Sequence, residues 1–437
     1  MDEPPRHSYR RWIISACIVG FILWAVAIAI ATIAMRNEPD DSKLDTELNG
    51  VTEPKVVKQP TPAPVVEPEV AAEGPCWPVY GRTPARTSDA SELNHGIPKT
   101  RVWQMRIGMM EFPPSFCEGV LYVNNERGLT QAVQVEPRKL LWKRTTAEVY
   151  DSTPAVSGAR LFVGSFRPGS VQALDRRTGR LLWRLRTGGA VESSPVVVGG
   201  IVYATSKDRR VYAIDEATGK VRWAFITGGE VKDSPSVVGG RVYVANYAGE
   251  VFSLDARTGA VKWRTSFGGV LGDRIYSSVV ISGRTAYLAT IRGRVLALNT
   301  ANGATRWEKS IPGYVYSTPA VSGGKVYIGN YPGQLYAFNA RSGVEVWRAN
   351  VGGSVSGSPT VIGSVVYVSS NRAGHTRGYS VKNGRELWKY GQGKYVSGIA
   401  TDRAIYLSTG TILSRWTSAQ SERTFGVPTV IPPTRAK

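Results

Sequence analysis

VYAIDEATGKVRW, residues 211–223, is followed forty positions later by VFSLDARTGAVKW, residues 251–263. Repetition at a fixed period is a sign of architecture and is read before any chemistry. Anchoring on the final tryptophan of the phrase gives Trp142, Trp183, Trp223, Trp263, Trp307, Trp347 and Trp388, spaced 41, 40, 40, 44, 40 and 41 residues apart. Each unit has the same parts. A small-residue segment such as SSPVVVGG precedes an alternating run such as RVYVAN; a Gly turn, a run like VQALD, a TG or NG turn and a strand ending in Trp follow. Apolar residues alternating with polar or small ones, bounded by Gly, Asp and Asn turns, signal short antiparallel strands. Four such strands in about 40 residues match a propeller blade, whereas helical solenoid repeats of this length show a 3.6-residue period.

The blades are counted from the aromatic of the second strand: Tyr122, Phe162, Tyr203, Tyr243, Tyr287, Tyr327, Tyr367 and Tyr406. That makes eight. The eighth unit stops at Trp416 without a closing strand, while an orphan closing strand, TRVWQMRIG with Trp103, lies before the first complete unit. Pairing the two chain ends closes the ring and removes a raw sheet edge. The expected fold is all-β, an eight-bladed β-propeller of four-stranded antiparallel blades, with one N-terminal transmembrane helix.

That helix is expected over 12–35, WIISACIVGFILWAVAIAIATIAM, an apolar run of 24 residues interrupted only by Ser15 and Thr32. About 20 apolar residues cross a bilayer, and the apolar region of a cleaved signal peptide is shorter. Arg6, Arg10 and Arg11 precede the run and NEPDD follows, which places residues 1–11 in the cytoplasm and all that follows the anchor outside. Ala29, Ile30 and Ala31 also offer a small-residue cleavage pattern. Cys17, in ISAC, matches a lipoprotein-processing box but falls near the start of the apolar run, which argues for an ordinary membrane-buried cysteine. Residues 36–75, rich in Pro, Glu, Val and Lys, cannot bury a core and read as an extended stalk. The propeller is expected over 76–416 and a disordered tail over 417–437.

Charge is unevenly placed. Residues 1–75 hold 7 Lys and Arg against 11 Asp and Glu, leaving 47 against 23 in the remainder, a net of +24. A basic domain outside the membrane suits envelope proteins, anionic cell-wall polymers or phospholipid headgroups, or is simply an arginine-rich solvated surface. Nucleic acid is excluded as a partner by the topology and by the lack of a nucleic-acid motif.

The phrase is met by Ala173, Asp175, Gly179 and Trp183, by Ala213, Asp215, Gly219 and Trp223, by Ala297, Asn299, Gly303 and Trp307, and by Ala337, Asn339, Gly343 and Trp347. Ser253 replaces the alanine before Trp263, and Gln134 and Arg138 stand where Asp and Gly belong before Trp142. This pattern resembles the tryptophan-docking repeat of the pyrroloquinoline quinone (PQQ) type over residues 100–416, and CWPVYGRTPARTS, 76–88, is similar to the segment that opens such propellers. The family includes eight-bladed quinoprotein dehydrogenases and the non-enzymatic outer-membrane assembly lipoprotein BamB. Its docking residues, here Trp103, Trp142, Trp183, Trp223, Trp263, Trp307, Trp347 and Trp388, are structural. An indole covers the gap between blades while its N–H finds a backbone acceptor, a small residue leaves room for the ring, and Asp with Thr-Gly shapes the turn.

Function is sought where equivalent positions differ. The residue three before the inner-strand Pro, or its substitute, runs Glu111, Asp151, Glu192, Lys232, Tyr276, Tyr316, Ser356 and Val396, a ring expected near one mouth of the channel. Its carboxylates suit a hard cation such as calcium, or merely a wet channel mouth; its phenols suit a planar ligand. The four-residue expansion between Trp263 and Trp307 places Asp273 and Arg274 beside this ring, as ligand contacts or as parts of a longer turn.

The resemblance implies two activities. A PQQ-dependent dehydrogenase would use calcium held by Glu, Asn and Asp, a catalytic Asp and often a vicinal disulfide; this chain has no Cys-Cys pair, no c-type haem motif, and only His95 and His375 after the anchor. No catalytic residue and no metal site are assigned. Cys76 and Cys117 form a disulfide tying the lead-in to the first blade, or remain buried thiols. The favoured expectation is a membrane-anchored, non-catalytic BamB-like scaffold at the cell envelope; a dehydrogenase and a small-ligand sensor using Tyr276 and Tyr316 are the alternatives.

Overall fold

The computed structural model describes residues 76–93, 95–268, 272–395, 398–426, 428 and 430. The apolar run 12–35, the stalk and Val396 of the ring lie outside the described residues; among those described, no helix is long and apolar enough to cross a membrane.

Eight sheets follow in chain order, seven of them four-stranded and antiparallel; the seventh blade gains a fifth strand, Asp89–Ala90 of the lead-in, parallel to Thr360–Ile362. The third blade is typical, with strands Val196–Val198, Ile201–Ser206, Arg210–Asp215 and Val221–Ile226. Its first hairpin turns on Gly199 and Gly200, both at positive φ, as a two-residue turn matching strand twist requires. The third turn is built by Asp215: its Oδ1 accepts the Ala217 and Thr218 N–H groups and the Thr218 hydroxyl. A bulge follows, so that Trp223 stands opposite Ala213 while Val221 pairs with Ile214.

In that register Tyr203, Ala213 and Trp223 form one cross-strand row. The alanine lets the two rings meet over it, with centroids 6.0 Å apart. Every blade repeats this pair at 5.8–6.4 Å, including Trp103 with Tyr406, whose strands come from opposite chain ends. Pro98–Arg106 pairs antiparallel with Ile412–Ser418, so the eighth blade is closed by the N-terminal strand.

Six of the indoles then dock on the next blade by one and the same bond. Trp223 Nε1 donates to Ala256 O at 3.0 Å, and the Tyr203 hydroxyl donates to the same carbonyl at 2.9 Å. The ring lies against Gly259 of that blade, where a Cβ would come within 2.8 Å of it. The docking glycine therefore does two things, taking the positive φ of the turn and leaving room for the neighbouring indole. Six junctions share this bond, from Trp142 to Arg176 O through Trp347 to Val381 O. The seam departs from it: Trp103 Nε1 is buried without a hydrogen-bond partner, because the first blade has a short Glu136–Pro137 turn in place of the docking phrase. Trp388 instead packs edge-on against Trp416, 6.1 Å away.

Two features were not expected. The chain continues as strand through Ser418 and then forms a seven-residue helix, Ala419–Phe425, where disorder was expected from 417. Ser418 and Ser421 form a capping box, and Glu422 takes Lys99 Nζ at 2.9 Å and the Thr417 hydroxyl, fastening the helix to the seam. The lead-in, bonded to the first blade through the Cys76–Cys117 disulfide, circles the axis. Inner-strand N–H groups of the second and of the fourth to seventh blades donate to it: Val156 to Pro78 O, Val237 to Pro84 O, Ile281 to Ala85 O, Val321 to Thr87 O and Val361 to Ser88 O, all at 2.8–3.0 Å. These are the inward edges of the innermost strands, and the lead-in satisfies them.

Candidate functional site

The axis is closed on one side by the lead-in and shaped on the other by the segments preceding the inner strands. Arg86, fully buried, is the centre of the closure: Nε donates to Pro235 O, Nη1 to Tyr80 O and Nη2 to Ser194 O, at 2.7–2.8 Å. Burial brings its guanidinium down to about 10, with Tyr80 and Asp233 opposing. Gly81 is required beneath it, since a Cβ there would meet Arg86 Cα at 2.7 Å.

A belt of hydroxyls surrounds the axis. The Thr153 N–H donates to Ser194 Oγ, Ser194 to Ser234, Ser234 to Ser278, Ser278 to Thr318 and Thr318 to Ser358, all at 2.8–3.0 Å. The Ser or Thr before the inner-strand Pro is thus a blade-to-blade link. Above the belt opens a cavity of about 330 Å³, lined among others by Tyr80, Glu111, Phe112, Lys232, Asp233 and Tyr395, and bordered by Tyr276, Tyr316 and Ser356.

The ring column is brought together as an electrostatic unit. Glu192, almost fully buried, holds Lys207 at 2.8 Å and Lys232 at 2.7 Å. Burial pushes its carboxyl up, but Lys232 and the hydrogen bonds from both lysines outweigh that and hold it below the ordinary range. Burial lowers Lys232, and Glu192, Asp151 and Glu111 more than offset it, so the ammonium titrates high. Asp151 is pushed up to about 7 by burial and then by Glu111 and Glu192. Glu111 is raised by burial and by Glu126. On the other side the phenols form an arc: Tyr247 stacks on Tyr276 at 4.5 Å, Tyr276 meets Tyr316 edge-on at 5.6 Å, and Tyr316 meets Tyr331 at 5.7 Å. Lys232 Nζ lies 5.7 Å from the Tyr276 ring.

Asp273 and Arg274 do not join this ring. The Asp273 carboxylate is buried, accepts the Arg292 N–H and faces Arg294 at 3.8 Å, so it fastens the expanded loop to the hairpin turn before strand Arg294–Asn299. Arg274 lines an open groove with Arg292 and Tyr314; a second groove, sharing Gly313 and Tyr314, is lined by Tyr331 and Arg372. Tyr314 is 55% and Tyr331 48% exposed.

Asp233 was missed, although the sequence carries a signal for it. The position holds Ser152, Ser193, Ser277, Ser317 and Gly357 in other blades. Those serines bridge to the second strand, as Ser193 does to Thr205. Asp233 keeps only the Ala245 N–H on Oδ2; its Oδ1 is buried without a partner, and burial pushes the carboxyl up to about 8 despite the Ala245 bond and Arg86. The contacts of Arg86, Tyr80 and Tyr395 had no repeat pattern to reveal them.

Fold and docking belt define an eight-bladed propeller of the PQQ type. The family model described as outer membrane protein assembly factor BamB matches residues 167–390 and 313–419, together more than half of the sequence, and the chain belongs to that family. No curated protein matches it. Among solved structures, BamB from Moraxella catarrhalis is 18% identical, with a TM-score of 0.64 over 73% of this chain and 98% of that one. A europium-containing methanol dehydrogenase is 14% identical, with a TM-score of 0.67 over 78% and 90%. The quinohemoprotein alcohol dehydrogenase from Comamonas testosteroni is 15% identical, with a TM-score of 0.64 over 80% and 81%. At these identities the likeness is one of fold, and the fold serves both kinds of protein.

Proposed function

We propose that the chain is a non-catalytic binding module of the cell envelope, held by the apolar run 12–35 with its N-terminus cytoplasmic, its stalk extended and its propeller outside. Family membership supports an envelope role. The observation that carries the reading is the sector around Tyr314: two exposed tyrosines and the arginines at 274, 292 and 372 flank adjoining grooves. Tyr and Arg are the residues that protein interfaces concentrate at their energetic centres. A photo-crosslinking residue placed at Tyr331 of the full chain in cells is expected to capture one discrete envelope protein, and Arg274→Ala with Arg372→Ala is expected to abolish the adduct. Absence of any protein adduct from both Tyr314 and Tyr331 would overturn the reading.

A PQQ-dependent dehydrogenase is the second reading, favoured by the carboxylates at the mouth. The donor set does not suit a quinone with calcium. Glu192 is already held by two lysines, and Arg86, the cation that would answer a ligand carboxylate, spends its donors on three backbone carbonyls. Cys76 and Cys117 are bonded across 41 residues, so neither supplies a vicinal disulfide.

A further inference from the structure

The mouth holds more acids than cations. Glu126 and Glu192 both raise the Glu111 and Asp151 carboxyls, Glu111 also raises Asp151, and Asp233 lines the same cavity as Glu111. Against these five carboxyls stand, among the described residues, Lys207 and Lys232, both bound to Glu192 with Lys232 also acting on Glu111 and Asp151, and Arg86, bound to backbone carbonyls. Oδ1 of Asp151 and Oδ1 of Asp233 are buried and lack a hydrogen-bond partner among the described residues. Such a deficit of positive charge is out of character for a region with a net of +24. A buried acid left without a partner costs stability unless a ligand or a proton answers it.

The walls add a second requirement. Tyr80, Phe112, Tyr276, Tyr316 and Tyr395 line the cavity with aromatic surface, and one ring already has a cation near it, Lys232 beside Tyr276. Aromatic faces next to carboxylates recognise organic cations. A volume of about 330 Å³ suits a small molecule or a single side chain. A bare metal ion fits less well, since among the described residues no three His, Cys, Asp or Glu side chains stand close enough to hold one.

We propose that this cavity binds a small organic cation, an alkylammonium or guanidinium group, whose charge is answered by Glu111 on the cavity wall, with Asp151 behind it in the same field, and whose apolar part lies on the Tyr276, Tyr316 and Tyr395 rings. The site is distinct from the Tyr314 grooves and stands whether or not a protein partner docks there. Cation binding favours the ionised carboxyls, so protons leave as it binds and affinity rises with pH. Glu126, Glu192, Lys207, Lys232, Arg86, Asp233 and Tyr395 are the other titratable groups that share this field.

The test is calorimetric titration of the detergent-solubilised full chain with choline, putrescine and N-acetyl-arginine amide, which separate a free amine from a partner's side chain as the source. Saturable binding of at least one is expected, about tenfold tighter near pH 8 than near pH 6. Glu111→Gln with Asp151→Asn is expected to weaken it at least about tenfold, and Tyr316→Leu to weaken it without moving the unfolding midpoint. Glu345→Gln, on an outer strand, is expected to leave it unchanged. No saturable heat with any of the three, binding indifferent to the double substitution, or tighter binding near pH 6 would each overturn the proposal.

Discussion

The docking belt and the mouth ring are both eightfold columns of one repeat, and they have opposite characters. In the belt, Trp meets Tyr or Phe in every blade and six indoles reach a carbonyl of the next blade. In the ring, the same eight places hold acids, an amine, phenols, a serine and a valine. Packing allows one solution per junction, so the belt repeats; Glu111, Lys232, Tyr276, Tyr316 and Ser356 of the ring line a cavity, where packing leaves the side chain freer to differ. The belt joins the blades, whereas the ring is where we propose that a small cation is recognised, apart from the Tyr314 grooves proposed for a protein partner.

Substitutions break that contrast in order of size. Trp183→Ala removes a buried indole, its bond to Glu216 O and its seat on Gly219, and is expected to cost about 3–5 kcal/mol in denaturant unfolding. Tyr316→Ala in the ring, by comparison, is expected to cost under about 1 kcal/mol. Arg86→Met should come next. It leaves three buried carbonyls without their donor and is expected to cost about 3 kcal/mol, because the side chain ties the lead-in to the third and fourth blades.

Acidity sharpens the comparison further. Asp151 holds its proton up to about 7 in the folded chain, whereas the unfolded carboxyl releases it near 4. Between those values the folded state binds more protons, so its contribution to stability, complete at low pH, is lost as pH rises toward 7. The loss is at most about 1.4 kcal/mol per pH unit, and Asp151→Asn should flatten it in unfolding midpoints measured across that range. Smallest is the seam. Trp103 lacks the acceptor that Trp223 has, so Trp103→Phe should cost about 1 kcal/mol less than Trp223→Phe in the same assay.

The sequence made the belt legible for the same physical reason that makes it stable. Blade number, the Trp103–Tyr406 seam and, in the first seven blades, the small residue between paired rings follow from side chains that repeat; in the eighth Arg415 stands between them. The lead-in does not repeat, and it satisfies the inner strands through backbone carbonyls, which any sequence supplies; only Arg86 and Gly81 mark it. For Asp273 the sequence offers a ligand contact or a part of a longer turn, and only the folded chain shows its carboxylate turned onto the Arg292 N–H. The helix 419–425 is too short for a periodic signal, and its capping serines lie in a polar stretch. Asp233 was legible as the one carboxylate in a column of serines.

The central claim is that the mouth carboxylates serve recognition and not quinone chemistry. The most direct measurement is a fluorescence titration of the purified full chain with PQQ, with and without calcium. No saturable binding up to high micromolar PQQ is predicted, with or without the ion. Calcium-dependent saturable binding, lost when Glu111, Asp151 and Glu192 are all changed to their amides, would contradict the account.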